Sequence, residues 1–200
     1  MSVAGIILAA GESRRMGTPK PLLEFEGETF LDRLILTLGA SCSPVIVVLG
    51  CESQRIRDGL RRGDLASFVF NPDYGRGQLS SLECGLAAVP PEAEGVMFTL
   101  VDHPAVLPST VARIARAFKE RAPHELLVVP RCQGRHGHPV CAARELIAEF
   151  LALPPDAQAR EVIHRHREQT VYVDVDDRGV LEDIDDPEAY RRLRQPDGSQ

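Results

Sequence analysis

Val3-Ala4-Gly5-Ile6-Ile7-Leu8-Ala9-Ala10-Gly11-Glu12-Ser13-Arg14-Arg15-Met16-Gly17-Thr18-Pro19-Lys20 is the stretch on which the reading of the chain turns. An uncharged, largely apolar run reaches Ala10 and then gives way to a glycine-bearing loop. That loop carries Arg14, Arg15 and Lys20 against Glu12. A continuous apolar run of this kind is a strand covered on both faces. The unit recurs: strands are expected at residues 4–9, 45–49, 68–70, 96–101 and 126–129, with helical periodicity at 30–38, 53–62, 79–89 and 109–121. Alternation of this type predicts a doubly wound α/β fold, Rossmann-like, with a mostly parallel sheet and right-handed crossovers.

Beyond residue 130 the pattern changes. Residues 131–138 read as a loop, 140–142 as a short strand, 143–151 and 160–169 as helices, and 170–175 as a strand. Proline opens a last helix at 187–193. A single domain is expected over residues 1–195, with a frayed tail at 196–200.

Composition narrows the function. The 200 residues are 44% hydrophobic and 26% charged, which fits a packed globular core. A net charge of −6, no tryptophan and 5% aromatics argue against a nucleic-acid binder. No secretory or membrane segment is visible, so no membrane association is expected. Five cysteines without C-x-x-C spacing disfavour a disulfide framework and point to the cytoplasm. Charge is uneven, with two surplus positives over 11–20 and eight acids against Arg178 over 174–188. Most of those acids read as solvated surface, yet a cationic loop and an acidic segment can also flank a phosphate–metal site.

Ligands of an open parallel sheet bind at the carboxyl ends of its strands, which is where this loop lies. Ala9, Ala10 and Gly11 are small enough for backbone N–H groups to approach phosphate oxygens. Arg15 and Lys20 neutralise a polyphosphate. Walker A and G-x-G-x-x-G spacings are both absent. Arginine is strongly preferred throughout, with 21 against two lysines, and Lys20 is one of the two.

The run L-A-A-G-x-S-x-R-M-G-x-x-K-x-L-L resembles the nucleotidyltransferases that activate a phosphate-bearing acceptor with a nucleoside triphosphate. Within them it is most similar to the molybdenum cofactor cytidylyltransferases and their MobA-like relatives. The likeness covers nearly the whole chain. It extends to the glycine-rich turn from Asn71 through Gly77 to Ser80 and Ser81, to Asp102-His103-Pro104, to Gly134-Arg135-His136-Gly137-His138-Pro139, and to Glu182-Asp183-Ile184-Asp185-Asp186-Pro187.

The resemblance implies CTP as substrate and Mg²⁺, with Mn²⁺ as a substitute, held by Asp102 and Asp185; Asp183 is the alternative second ligand. Arg15, Lys20 and Asp102 take catalytic roles. Leu8, Ala9, Ala10, Gly11, Ser13, Arg15, Lys20, Asn71, Gly77, Ser80 and Ser81 bind the nucleotide. Arg135, His136 and His138 bind a molybdopterin-type acceptor, and a molybdenum hydroxylase is a candidate partner. Helix capping is the alternative role for Ser80 or Ser81, and for Asp185 or Asp186. A zinc grouping of His136 and His138 with His164 and His166 lacks further ligands. L-A-A-G at 8–11 favours a cytidylyl donor over a guanylyl one, since the Ala10 methyl narrows the base site. Transfer to another phosphorylated acceptor, and a non-catalytic carrier of the finished cofactor, stand as rivals.

Overall fold

Strands with no polar face must be buried on both sides, and the packing follows from that need. The structure is a computed structural model describing residues 2–195. In chain order the elements are β1 (Val3–Ala9), β2 (Glu24–Phe25), β3 (Glu28–Thr29), α1 (Phe30–Gly39), β4 (Val45–Leu49), α2 (Ser53–Gly59) and β5 (Ser67–Phe70). Then come α3 (Gln78–Ala87), β6 (Gly95–Leu100), α4 (Pro108–Glu120), β7 (Leu127–Cys132), β8 (Arg135–His136) and β9 (Val140–Ala143). The described chain closes with α5 (Ile147–Leu151), α6 (Arg160–Arg165), β10 (Thr170–Asp174) and α7 (Pro187–Leu193).

The main sheet has the order β10-β7-β9-β6-β1-β4-β5, with β8 on β7, and β2 and β3 form a separate hairpin. β1 lies parallel between β4 and β6, and all seven of its residues are buried. Val3, Ile7 and Ala9 pack with Leu34 of α1 and Ile114 of α4, whereas Ala4, Ile6 and Leu8 pack with Leu82 of α3 and Phe150 of α5. This is the doubly wound, mostly parallel α/β architecture expected. The exceptions are β9, antiparallel between β6 and β7, and β8, antiparallel on β7. No helix among the described residues is long and apolar enough to cross a membrane. The tail expected at 196–200 lies outside the described residues.

Four local expectations change, two of them because a tertiary bond claims the backbone. The helix expected over 53–62 stops at Gly59, because the buried Asp32 carboxylate takes the N–H groups of Arg61 and Arg62. The loop expected over 131–138 is a β7–β8 hairpin, closed by Gln133 and Gly134 at φ of 50° and 76°. The helix expected from 143 begins later, because Ala143 still pairs with Gly95, and its N–H donates to the Leu126 carbonyl. The helix expected over 160–169 likewise ends at Arg165, followed by a short 3₁₀ turn, Arg167–Gln169, before β10.

One buried acid fastens the C-terminal segment to the start of α4. Asp177, 6% exposed, accepts from the Leu107 N–H (2.9 Å), the Thr110 hydroxyl (2.6 Å) and the Gly179 N–H (2.9 Å). It thereby serves as a remote cap for the start of α4, where a negative charge is favoured. Asp177→Ala should lower the unfolding free energy in urea by about 2–3 kcal/mol, since buried donors lose a charged acceptor. A loss under about 0.5 kcal/mol would place it with ordinary surface substitutions.

Candidate functional site

β1 delivers the loop to the carboxyl edge of the sheet, and local bonds fold the loop back. Ser13 has a φ of 52°; its hydroxyl accepts from the Lys20 N–H at 2.8 Å, and its carbonyl accepts from the Met16 N–H. Pro19 then leads into a 3₁₀ turn at Lys20–Leu22. From β6, Asp102 follows in a turn whose carbonyl accepts from the Ile184 N–H at 2.8 Å. That bond holds the residues before α7 beside the end of β6. Asp186 caps α7 by accepting from Glu188 and Ala189, which leaves Asp185 free to turn toward the sheet.

The three parts meet at one cation. Lys20 Nζ donates to Asp102 Oδ2 at 3.1 Å and to Asp185 Oδ1 at 2.6 Å, and Arg15 donates to Asp185 Oδ2 at 3.1 Å. The Lys20 and Asp102 side chains are 13% and 18% exposed, so water screens this pair weakly. The hydrogen bond and charge of Lys20, with Arg15 behind it, hold the Asp185 carboxyl below the usual carboxylate range. Asp102 Oδ1 is buried and has no hydrogen-bond partner.

Two clefts open from this floor. One, about 560 Å³, is lined by Leu8, Ala10, Gly11, Ser13, Arg15 and Lys20 on one side and by Tyr74, Gly77, Gln78 and Ser81 on the other. The second, about 400 Å³, is lined by His103, Arg135, His136, His138, Leu181 and Asp183. Asp102 and Asp185 border both. Gly137 shapes the second: a Cβ there would lie 2.0 Å from the Val180 carbonyl oxygen. The close approach lets His138 donate its N–H to that carbonyl.

Residues 5–170 match the family of the MobA-like NTP transferase domain. The chain belongs to that family. It is 26% identical over 185 residues to the molybdenum cofactor cytidylyltransferase of Escherichia coli, covering 92% of each chain. It is 32% identical over 144 residues to a protein named "Probable molybdenum cofactor guanylyltransferase" from Pelotomaculum thermopropionicum, covering 71% of this chain and 63% of that one. Among solved structures, Rv0371c from Mycobacterium tuberculosis superposes with a TM-score of 0.84 at 32% identity, covering 97% of both chains. Rv0371c has also been solved in complex with manganese, with a TM-score of 0.79 at 29% identity, covering 98% of this chain and 100% of that one.

Within this MobA-like domain, the residues expected at the nucleotide side divide into a lining and a support. Leu8, Ala10, Gly11, Ser13, Arg15, Lys20, Gly77 and Ser81 line the first cleft; Ala9, Asn71 and Ser80 are buried and do not. Asn71 donates to the Ser80 and Ser81 hydroxyls at 3.0 Å and accepts from the Asp73 N–H, clamping the turn to α3. Ser80 donates its hydroxyl toward the Gly77 or Asp73 carbonyl and does not cap the helix. Gly77, at φ 109° and ψ −175°, holds a backbone shape that side chains resist.

Tyr74 and Gln78 line the cleft although the residue-by-residue reading passed over them; both sit inside the glycine-rich stretch already singled out. His103 was missed as well, standing between Asp102 and Pro104. Its ring lies 5.0 Å from that of His138, and its Nε2 lies 3.9 Å from Asp102 Oδ1.

On the acceptor side, Arg135 and His136 are exposed, and His136 stacks on Tyr172 at 4.5 Å. Asp183 borders only the second of these two clefts, while Asp185 joins the clasp. His166 bonds Glu149 and Gln169, and among the described residues no three His, Cys, Asp or Glu side chains converge as metal ligands.

Burial of its ring, with His103 beside it, pushes the His138 pKa down to about 4. Between that value and an unfolded value near 6.5, only the unfolded chain takes the proton, so His138 makes stability fall as pH drops through this window. Wild type should lose about 2 kcal/mol more than His138→Gln between pH 7 and pH 5 in urea titrations. Parallel pH profiles for the two proteins would contradict the assignment.

Proposed function

We propose that the protein transfers CMP from CTP to the terminal phosphate of a molybdopterin-type acceptor and releases pyrophosphate. The observation that supports this most is the pair of carboxylates forming a shared floor beneath two clefts, one rich in phosphate-binding features. The triphosphate lies along Gly11, Ser13, Arg15 and Lys20 with its base toward Ala10 and Tyr74. The acceptor enters beside Arg135, His136 and His138. An acceptor phosphate oxygen attacks the α-phosphorus in line, a new P–O bond forms, and the bond to the β-phosphate breaks. A phosphate dianion is already nucleophilic, so the chain's task is to align two polyanions and offset their repulsion. Arg15 and Lys20 take up the charge of the departing pyrophosphate. Tyr74, Gly77 and Ser81 hold the sugar and base side, with Asn71 and Ser80 stiffening that wall.

A divalent ion fits this floor. Its donors are hard carboxylate oxygens, the site already seats one cation between them, and Asp102 Oδ1 carries an unused lone pair. Asp102 and Asp185 would hold Mg²⁺ or Mn²⁺, which when bound neutralises phosphate charge. We assign one domain over 1–195 acting in the cytoplasm, where free cysteines such as Cys51 and Cys84 persist. A molybdenum hydroxylase is the proposed recipient of the product.

Pyrophosphate release tests the reading, with purified molybdopterin and CTP, GTP or ATP. CTP should be preferred, and Asp102→Asn should cut the rate about 10²–10³-fold without unfolding the protein. No pyrophosphate from any nucleotide would favour a carrier of the finished cofactor. Ala10 lines the first cleft and is 4% exposed, so its methyl narrows the wall there. Ala10→Gly should therefore reduce the CTP-over-GTP ratio of kcat/KM about tenfold. An unchanged ratio would remove Ala10 from base selection.

A further inference from the structure

The clasp raises a conflict. Asp102 and Asp185 are the oxygen donors for a divalent ion under the proposed reaction, yet both are already bonded to the Lys20 ammonium, at 3.1 and 2.6 Å. Arg15 occupies the other Asp185 oxygen. The chain's own cations therefore balance the two carboxylates. A dication held by these two carboxylates would sit next to that ammonium and be repelled by it, most strongly on the shielded Asp102 side. Metal and ammonium do not share the floor comfortably.

Lys20 can leave without disturbing the loop. Its backbone is fixed by Ser13, while its ammonium sits at the end of a flexible four-carbon stem. The first cleft, which Lys20 lines with Gly11 and Arg15, offers a new anionic partner once a polyphosphate enters. We propose that Lys20 gates the floor, resisting free divalent ions until a triphosphate draws its ammonium away. Metal and nucleotide then favour each other's binding, and the coupling is reciprocal. This inference rests on the nucleotidyl-transfer reading of the site and describes its regulation. It also gives a reason for lysine in an arginine-dominated chain, since a rigid guanidinium fork would hold both carboxylates more firmly.

Binding of Mn²⁺ without nucleotide tests the gate, read by loss of the free-ion electron paramagnetic resonance signal. Lys20→Met and Lys20→Gln should bind Mn²⁺ about tenfold more tightly than wild type. Lys20→Arg should bind it no better than wild type. Adding Asp102→Asn to Lys20→Met should erase the gain. Equal or weaker binding by both neutral variants overturns the proposal, as does a gain that survives Asp102→Asn. A wild type that releases pyrophosphate while the neutral variants gain no Mn²⁺ affinity would refute the gate and leave the reaction standing.

Discussion

A single ammonium held between two carboxylates from distant parts of the chain organises this molecule's working edge. Lys20 comes from the loop after β1, Asp102 from the turn after β6, and Asp185 from the segment before α7. Each element is pinned by its own backbone contacts. The clasp is where their positions become one site. Exposed ion pairs contribute little to stability, but here one lysine and one aspartate are mostly shielded from water. The pairing therefore aligns the three side chains, while backbone contacts keep their segments in place.

The supports behind the clasp are also buried polar groups. Asp32 ends α2, Asn71 binds the turn before α3, and Asp177 anchors the acidic segment to α4. Each is a buried side chain whose polar atoms are met by backbone or hydroxyl partners, which is the requirement for polar atoms in a core. The second cleft depends equally on close backbone approach, with Gly137 against Val180. Residues around the site therefore divide into those that face the clefts and those that hold the first group still.

The central strands were legible because continuous apolar runs admit few structures, and residue numbers for β1, β4 and β6 follow the hydrophobic pattern closely. The loop was legible because small residues and cations at the end of such a strand have one natural use. What sequence could not resolve depended on long-range partners. Whether Asp183, Asp185 or Asp186 faced the site turned on which of them capped α7, a choice made by backbone geometry. Asn71 and Ser80 carried the right chemistry, but burial turned them into support. His103 was invisible because its neighbour His138 lies 35 residues away in the chain, across a strand pairing that periodicity does not specify.

The chain has only two lysines, Lys20 in the clasp and Lys119 exposed on α4, so its lysine ammonium resonances can be compared directly. A ¹H–¹⁵N spectrum of the Nζ groups in nucleotide-free protein tests the clasp most directly. One resonance should exchange slowly with water and shift on Asp185→Asn, while the other stays exchange-broadened and unmoved. Two ammonium groups with the same rapid exchange, both indifferent to that substitution, would mean that Lys20 is not held between the carboxylates.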